Sequence, residues 1–288
     1  MRTFTLRRDK KVNRSLFGDL VLFVFLAAVA SFSALPLVFT INNAFKPMDE
    51  IFMFPPRFFV RNPTLDNFTD LVHLMANSWV PFTRYVFNTF FITLLGTAGH
   101  IILASAAAYP LAKHRFPFSK LFFSVIVLSL MFSSQVTAIP NYMTMSWLGW
   151  IDSYKAIIIP AFAYPLGLYL MKQFMEQIPD ALLEAAKIDG ASEYRIFWQI
   201  VMPLVKPAWL TLLILLFQQL WGIDGGNFIY SEELKTMSYA LEQIILGGIA
   251  RTGVAAAVAL LMMSVPIIVF VLSQSQVLQT MAASGMKD

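Results

Sequence analysis

The sequence predicts an all-α, polytopic membrane protein with six transmembrane helices. Of its 288 residues, 58% are apolar and only 13% are charged, whereas soluble domains contain about 25% charged residues. The mean hydropathy is +0.66. Apolar runs recur along the chain, and most of them are close in length to the ~20 residues that a membrane-spanning helix needs. This much apolar side chain is too much for one water-soluble core, so a membrane domain is expected.

The apolar runs define the six spans in order. Five of them meet the length and composition of a transmembrane helix readily, the fifth together with its proline-containing lead-in. The fourth is shorter and contains Pro160 and Pro165, which membrane helices tolerate because neighbouring helices can satisfy the freed carbonyls. The predicted spans are residues 17–41, 87–111, 121–145, 154–171, 208–222 and 254–276.

The first span follows a basic segment, residues 1–16, which is the arrangement of a signal peptide as well as of a signal anchor. Its apolar stretch exceeds the 7–15 residues of a signal-peptide core. The run "SFSALP" is only a weak cleavage-like site. A retained signal anchor is therefore predicted.

Lysine and arginine residues set the orientation, because they are enriched in cytoplasmic loops. Six spans place both termini on one side, together with the 112–120 and 172–207 loops. That side holds fourteen of the basic residues and the opposite side holds seven. The bias predicts cytoplasmic termini. It also predicts that the connections 42–86 and 223–253 lie outside the cytoplasm. The second connection is expected to contain a short helix over 237–246 that ends at Gly247.

The predicted domain organisation is one membrane domain, 17–276, flanked by the tails 1–16 and 277–288.

The sequence of the cytoplasmic loop 178–207 predicts a helical hairpin. Pro179 suits the first turn of one helix, Gly190 suits its end, and Ser192 can cap a second helix. Helical spacing gives both helices an apolar side, formed by Leu182, Leu183 and Ala186 and by Ile196, Phe197, Ile200 and Val201. A helix lying on the membrane surface and a docking site for another protein both fit. Periodicity does not separate the two.

Several kinds of chemistry have no sequence signature here. The chain has no cysteine, no P-loop motif and no H-E-x-x-H, and His73, His100 and His114 are scattered. No enzyme active site, metal site or nucleic-acid site is predicted. Spans two to six contain no Asp or Glu, whereas ion-coupled carriers often place such residues in the membrane. An ion-coupled secondary transporter is therefore the weaker alternative.

The hairpin sequence resembles a known signature. "EAAKIDGASEYRIFWQIVMPLVKP" is similar at ten positions to the EAA loop of permease subunits of bacterial ABC importers. The segments "FPPRFFVRNPTLDNF", "PFTRYVFNTFFIT", "AAAYPLAKHRFPF" and "LGWIDSYKAIIIP" also resemble that family. They resemble its carbohydrate-uptake branch, close to the smaller permease of the maltose transporter.

The resemblance implies a function and its partners. The chain would form half of the pathway for a carbohydrate in the bacterial cytoplasmic membrane, beside a second permease. An extracytoplasmic solute-binding protein would deliver the sugar, and a separate ABC ATPase dimer would bind ATP and Mg²⁺, so this chain would need no cofactor. The EAA loop would be the coupling helix that docks on the ATPase through Glu184, Ala185, Ala186, Asp189, Gly190 and Ala191.

Two further sets of residues are weaker candidates. The resemblance implies an ATPase contact by the C-terminal tail, through Ser284, Gly285 and Lys287. Sugars bind to aromatic rings and hydrogen-bonding groups, which points to Asn141, Tyr142, Gln218, Gln219 and Trp221. The amides can equally form hydrogen bonds between helices. The adjacent pair Gln218 and Gln219 is favoured because the two side chains point in different directions.

Overall fold

The computed structural model describes residues 15–76 and 79–284, and these contain helices and connecting turns but no β-strand. The α-helices are α1 (Leu16–Phe45), α2 (Met48–Ile51), α3 (Asp66–Ala76), α4 (Phe82–Lys113), α5 (Ser119–Ser129), α6 (Ser134–Trp147), α7 (Lys155–Phe162), α8 (Pro165–Glu176), α9 (Asp180–Ile188), α10 (Glu193–Ile196), α11 (Met202–Leu204), α12 (Lys206–Trp221), α13 (Met237–Leu246) and α14 (Thr252–Ser284). A π-helical stretch, Phe197–Val201, joins α10 to α11.

Four helical segments in the described chain are long and apolar enough to cross a membrane, or six if two bent pairs each count as one span. The four are Phe17–Phe45, Phe82–Lys113, Lys155–Glu176 and Thr252–Gln274. The bent pairs are α5 with α6, at 111°, and Glu193–Leu204 with α12, at 74°. Multiple passes through a membrane are therefore confirmed, with a count of four to six.

The third predicted span, 121–145, is not one helix. It breaks after Ser129, and the chain resumes a helix only at Ser134, with Ser133 extended at φ −75° and ψ 154°. The Ser129 hydroxyl donates a hydrogen bond to the Ile126 carbonyl at 2.6 Å. Serine side chains offer the backbone such local alternatives to a continuous helix, and the average hydropathy of a segment does not register them.

The fourth span is confirmed as a membrane-length segment and reaches Glu176, with a break between its two prolines. α7 ends at Phe162 and α8 begins at Pro165. The Phe162 carbonyl at this break lies 2.9 Å from Nδ1 of buried His100. A carbonyl can only accept, so Nδ1 donates. His100 thus packs against the break between α7 and α8. Gly167 makes this contact possible, because a Cβ there would lie 1.8 Å from Nε2 of His100.

The helix that contains the last span continues beyond the predicted end of that span. α14 continues to Ser284, so the first part of the predicted tail, 277–288, is helical, because nothing in its sequence up to Ser284 ends a helix. The second span is also longer than 87–111, since α4 starts directly after Pro81. The N-terminal tail lies outside the described residues except for its last two positions.

Helix α4 is the centre of the bundle. It packs against α7, α8 and α12, while α14 packs against α1 and α12. Most side chains of α1 are exposed, as expected for a helix that faces lipid. Because α4 has 32 residues and each residue adds about 1.5 Å, its two ends are roughly 45 Å apart.

The segment between α1 and α4 is held by polar side chains. The Glu50 carboxylate accepts hydrogen bonds from the Arg61 and Asn62 amides at 3.0 and 2.9 Å. The amide of buried Asn67 donates to the carbonyls of Ala44 and Lys46. The proline-rich part of this segment has no helix or strand, and α3 follows it. The predicted helix 237–246 is confirmed as α13 and ends at Gly247.

Candidate functional site

The EAA hairpin, residues 180–204, has the shape that the sequence predicts. α9 follows Pro179, and the chain turns at Asp189 and Gly190. Gly190 has φ +80°, and a Cβ there would meet nothing within 4 Å. Glycine is therefore favoured by the left-handed backbone and not by a lack of space. The Ser192 hydroxyl accepts a hydrogen bond from the Arg195 amide at 3.3 Å and caps the second helix.

The hairpin is anchored through its apolar side. Its buried members are Leu183, Ala186, Ile196, Phe197 and Val201. They form one cluster with residues of three other helices, namely Ala108 and Tyr109 of α4, Met171 and Met175 of α8, and Ala208 and Leu212 of α12. The sequence-based assignment of Leu182 to this side is wrong, because Leu182 is 43% exposed. The packing joins the hairpin firmly to the bundle.

Polar contacts fix the hairpin against the end of α4. The Glu193 carboxylate accepts a hydrogen bond from the Tyr109 hydroxyl at 2.9 Å and pairs with Lys187 at 2.6 Å. The hydrogen bond from Lys187 holds the pKa of Glu193 below its usual value, and burial opposes this only in part. Lys113 of α4 donates to the Ile178 carbonyl and to Asp180, the latter at 2.7 Å.

The tip of the hairpin faces away from the bundle. Glu184, Ala185, Asp189 and Gly190 are exposed. Of the other two predicted docking residues, Ala186 is buried in the chain's own cluster and Ala191 is half-buried. Four of the six candidates are therefore accessible to a partner.

Two large side chains on the hairpin were not predicted as part of this surface. Ile188 is 86% exposed and Tyr194 is 75% exposed, one on each side of the turn. Exposed apolar side chains beside a polar tip are typical of a surface that contacts another protein. Their position directly around the Asp189–Gly190 turn is the signal that could have identified them.

The second helix of the hairpin is irregular. Residues Phe197–Val201 form a π-helical turn between α10 and α11. Such turns are rare and occur frequently at functional sites. The irregularity lies where the hairpin meets the bundle, since Phe197 and Val201 are both buried there.

The candidates for a sugar path do not form one group. Gln218 and Gln219 are exposed on α12, and neither side chain has a hydrogen-bond partner within the described chain. Trp221 is only 3% exposed, stacks on Phe217 and donates to the Met262 carbonyl at 2.7 Å. Its indole is satisfied by packing inside the chain, which corrects its assignment to the sugar path.

The other two path candidates lie on α6, away from the α12 amides. Asn141 and Tyr142 are both exposed, and α6 contacts the turn at residues 226–228. The Tyr142 hydroxyl lies 3.1 Å from the hydroxyl of Tyr230. Among the C-terminal candidates, Ser284 is the last residue of α14, and Gly285 and Lys287 lie outside the described residues.

Known proteins resemble this chain in both sequence and fold. Residues 100–282 match the family "Binding-protein-dependent transport system inner membrane component". Protein LplC of Bacillus subtilis (strain 168) is 33% identical over 71% of this chain and 67% of its own length. The sn-glycerol-3-phosphate transport system permease protein UgpE of Pectobacterium atrosepticum is 31% identical over 78% of this chain and 82% of its own.

A solved structure has the same fold. A chain of a bacterial ABC transporter involved in the import of the acidic polysaccharide alginate superposes with a TM-score of 0.77. The match covers 92% of this chain and 99% of that one, at 22% sequence identity. Together with the matched family and the EAA hairpin, this fold confirms the resemblance seen in the sequence: the chain belongs to the family of inner membrane components of binding-protein-dependent ABC transport systems.

Proposed function

We propose that this permease imports a carbohydrate as one half of a transmembrane pathway whose other half is a second permease subunit. The exposed tip of the EAA hairpin, held on a rigid apolar base, carries this proposal. An ABC ATPase dimer binds ATP and Mg²⁺ and docks on the tip, and an extracytoplasmic solute-binding protein delivers the sugar. Relatives named for sn-glycerol-3-phosphate and alginate transport support a sugar or sugar-like substrate.

We further propose six spans, with α5 and α6 together as the third and α12 as the fifth, and with both termini in the cytoplasm of a bacterial cell. The two-to-one bias of basic residues supports this orientation. The EAA hairpin then lies on the cytoplasmic side. The 223–236 loop contacts α4 at Asn88, whereas the hairpin contacts it at Tyr109, roughly 30 Å further along the helix. The ATPase and the binding protein accordingly act at opposite ends of α4.

In this mechanism the hairpin transmits the movement of the ATPase. Closure of the ATPase dimer around ATP pushes on the tip, where Glu184 faces basic residues of the ATPase. The buried cluster joins α9 and α10 to α4, α8 and α12, so the push moves these helices together and switches the pathway between its inward- and outward-open forms. Ala185 lets the ATPase approach closely, whereas Ala186 lets the hairpin pack closely on its own bundle.

The experiment compares substitutions at the tip in a reconstituted transporter. Asp189→Lys reverses a charge at the docking surface. Gly190→Pro requires φ near −65° where the turn has +80°. Both should abolish ATP-dependent sugar uptake into proteoliposomes while the chain still inserts and binds its partner permease. Gly190→Asn is the matched control, because asparagine tolerates the left-handed conformation, and it should retain most of the uptake. Normal uptake by Asp189→Lys and Gly190→Pro would contradict the coupling role.

A further inference from the structure

A cleft opens at the end of the bundle opposite the EAA hairpin. It has a volume of about 290 Å³ and lies between α6 and the 223–236 loop. Its lining residues are Ala138, Ile139, Tyr142, Asn227 and Tyr230. The two tyrosine hydroxyls meet at 3.1 Å across it, and the Tyr142 ring lies 6.2 Å from the ring of Phe228. The cleft thus combines aromatic rings, two hydroxyls and one amide.

Asp152 fixes the loop side of this cleft. Its carboxylate accepts hydrogen bonds from the Tyr230 and Ser231 amides at 2.9 and 2.8 Å and from the Ser231 hydroxyl. Its own amide donates to the Phe228 carbonyl at 2.7 Å. These contacts hold both ends of the segment that carries Tyr230.

The backbone at this position is strained. Asp152 has φ +58°, a conformation that residues with a side chain adopt rarely. Strain of this kind persists where surrounding contacts enforce it, and it is concentrated at functional sites. Here it aims the carboxylate at the 228–231 segment, so the loop is organised before any ligand arrives. A preorganised site binds more tightly because less freedom is lost on binding.

The chemistry of the cleft selects its ligand. Tyr230 is 59% exposed and Tyr142 is 37% exposed, so neither ring is needed for the core. Exposed tyrosines offer an apolar face and a polar end, which match the C–H face and the hydroxyls of a pyranose ring. The lining residues include no cation. The nearby Asp152 carboxylate is ionised, because hydrogen bonds from Ser231 and, less strongly, the charge of Lys235 lower its pKa, and its negative charge disfavours an anionic ligand.

We propose that this cleft binds a neutral sugar unit, with Tyr142, Tyr230 and Asn227 as its contact residues and Asp152 as a positioning residue. The proposal rests on the proposed carbohydrate import and deepens it. Of the residues predicted from the sequence for the sugar path, the site includes Tyr142. The other three residues of the site, Asp152, Asn227 and Tyr230, were not among those candidates. It also assigns the sugar a contact on this subunit, at the end of the bundle where the binding protein releases it.

Saturation-transfer NMR on the complete transporter in nanodiscs, without ATP, tests the site. Maltotriose and cellotriose are the neutral probes, and trigalacturonate is the anionic probe of equal length. The wild-type complex should transfer saturation to a neutral probe and much less to trigalacturonate.

Loss of one aromatic contact corresponds to roughly a two- to tenfold weaker affinity. We expect this loss for Tyr142→Ala and for Tyr230→Ala. Trp147→Ala removes another exposed aromatic residue of α6 and should bind like the wild type.

Asp152 is tested by a conservative pair of variants. Asp152→Asn keeps an oxygen that accepts from the two amides and tolerates the positive φ, so it should retain binding of the neutral probe. It should also bind trigalacturonate better than the wild type does, because the negative charge is gone. Asp152→Ala should lose binding of both probes. A merely structural role of Asp152 would not change the preference between neutral and anionic sugars.

Two results would overturn the site. One is saturation transfer that is the same in Tyr142→Ala, Tyr230→Ala and the wild type. The other is no transfer from the wild type to either neutral probe. These measurements need no ATP, whereas the proposed function is tested by ATP-dependent uptake in the hairpin variants. Failure of the cleft is therefore distinguishable from failure of the coupling role.

Discussion

The two ends of α4 hold their neighbouring segments in different ways. Near Tyr109, the EAA hairpin is attached by a continuous apolar cluster, with charged contacts at its margin. Near Asn88, one buried side chain of the 223–236 loop, Ile229, packs in an apolar cluster, and hydrogen bonds to the loop's backbone add to this attachment. The Asn88 amide donates to the carbonyls of Glu233 and Lys235 at 2.8 and 2.7 Å and accepts from the Tyr154 hydroxyl at 2.6 Å.

This difference shows what each end has to preserve. Apolar packing has little directional preference, so a helical hairpin can transmit a push as long as it stays in contact with the bundle. Hydrogen bonds to backbone groups fix the path of the chain itself, which this loop needs because its regular structure is limited to two short 3₁₀ turns, at 226–228 and 232–234. The first arrangement suits a moving contact, and the second suits a loop whose shape carries the recognition.

The largest loss of stability is expected from weakening the apolar packing of the EAA hairpin. Ile196 is fully buried, and Ile196→Ala should destabilise the protein by roughly 2–5 kcal/mol through lost contacts and a cavity. The free energy of unfolding is measured by denaturant titration in mixed micelles. Ile196→Val is the control and should cost about 1 kcal/mol. Hydrogen exchange of residues 223–236 should remain unchanged, and faster exchange there would show that the two ends are not independent.

The next largest loss of stability is expected where Asn88 holds the 223–236 loop. Asn88→Ala leaves two carbonyls of the loop and one tyrosine hydroxyl without their partner, and a buried unsatisfied group costs about 1–3 kcal/mol. Hydrogen exchange should become faster in residues 223–236 and stay the same in the hairpin. Thr93 is equally buried on α4, but its hydroxyl has no hydrogen-bond partner in the described chain. Thr93→Val is therefore the control, and a loss as large as that of Asn88→Ala would contradict this account.

A smaller effect should follow removal of one polar contact at the hairpin. Tyr109→Phe deletes the hydroxyl that donates to Glu193 but keeps the ring in the apolar cluster. The expected loss of stability is roughly 0.5–1.5 kcal/mol, since Glu193 is partly exposed and water replaces the donor. Tyr109→Leu changes the ring as well and should cost more. Equal losses for both variants would mean that the hydroxyl, and not the packing, holds the hairpin here.

The smallest effect concerns pH. The hydrogen bond from Lys113, followed by its positive charge, lowers the pKa of Asp180 below its ordinary value of 3.8. A lowered folded-state pKa contributes stability above pH ~4, and this contribution is lost as the pH falls through the folded-state pKa. The wild type should therefore lose slightly more stability than Asp180→Asn between pH 5 and 3. Thermal unfolding across this range measures the difference, and parallel curves would exclude a contribution from the pair.

Patterns within single segments were predictable from the sequence. The spans follow from runs of apolar residues, and the hairpin follows from Pro179, Gly190 and Ser192, whose backbone preferences act locally. The break after Ser129 was missed because the hydropathy averaged over 121–145 hides the serines that flank the break. Leu182 was misplaced because the helical spacing of a nine-residue helix leaves the exact edge of its apolar side open.

The sequence by itself determined the membrane class, the family signature and the turn at the hairpin tip, since each depends on neighbouring residues. Only the tertiary structure decided that Trp221 packs inside the chain, that Ala186 faces the bundle, and that Tyr142 meets Tyr230. The two tyrosines are 88 positions apart, and the bend between α5 and α6 together with the strained Asp152 brings them into contact. No local preference encodes such a meeting, because it results from how whole helices pack around α4.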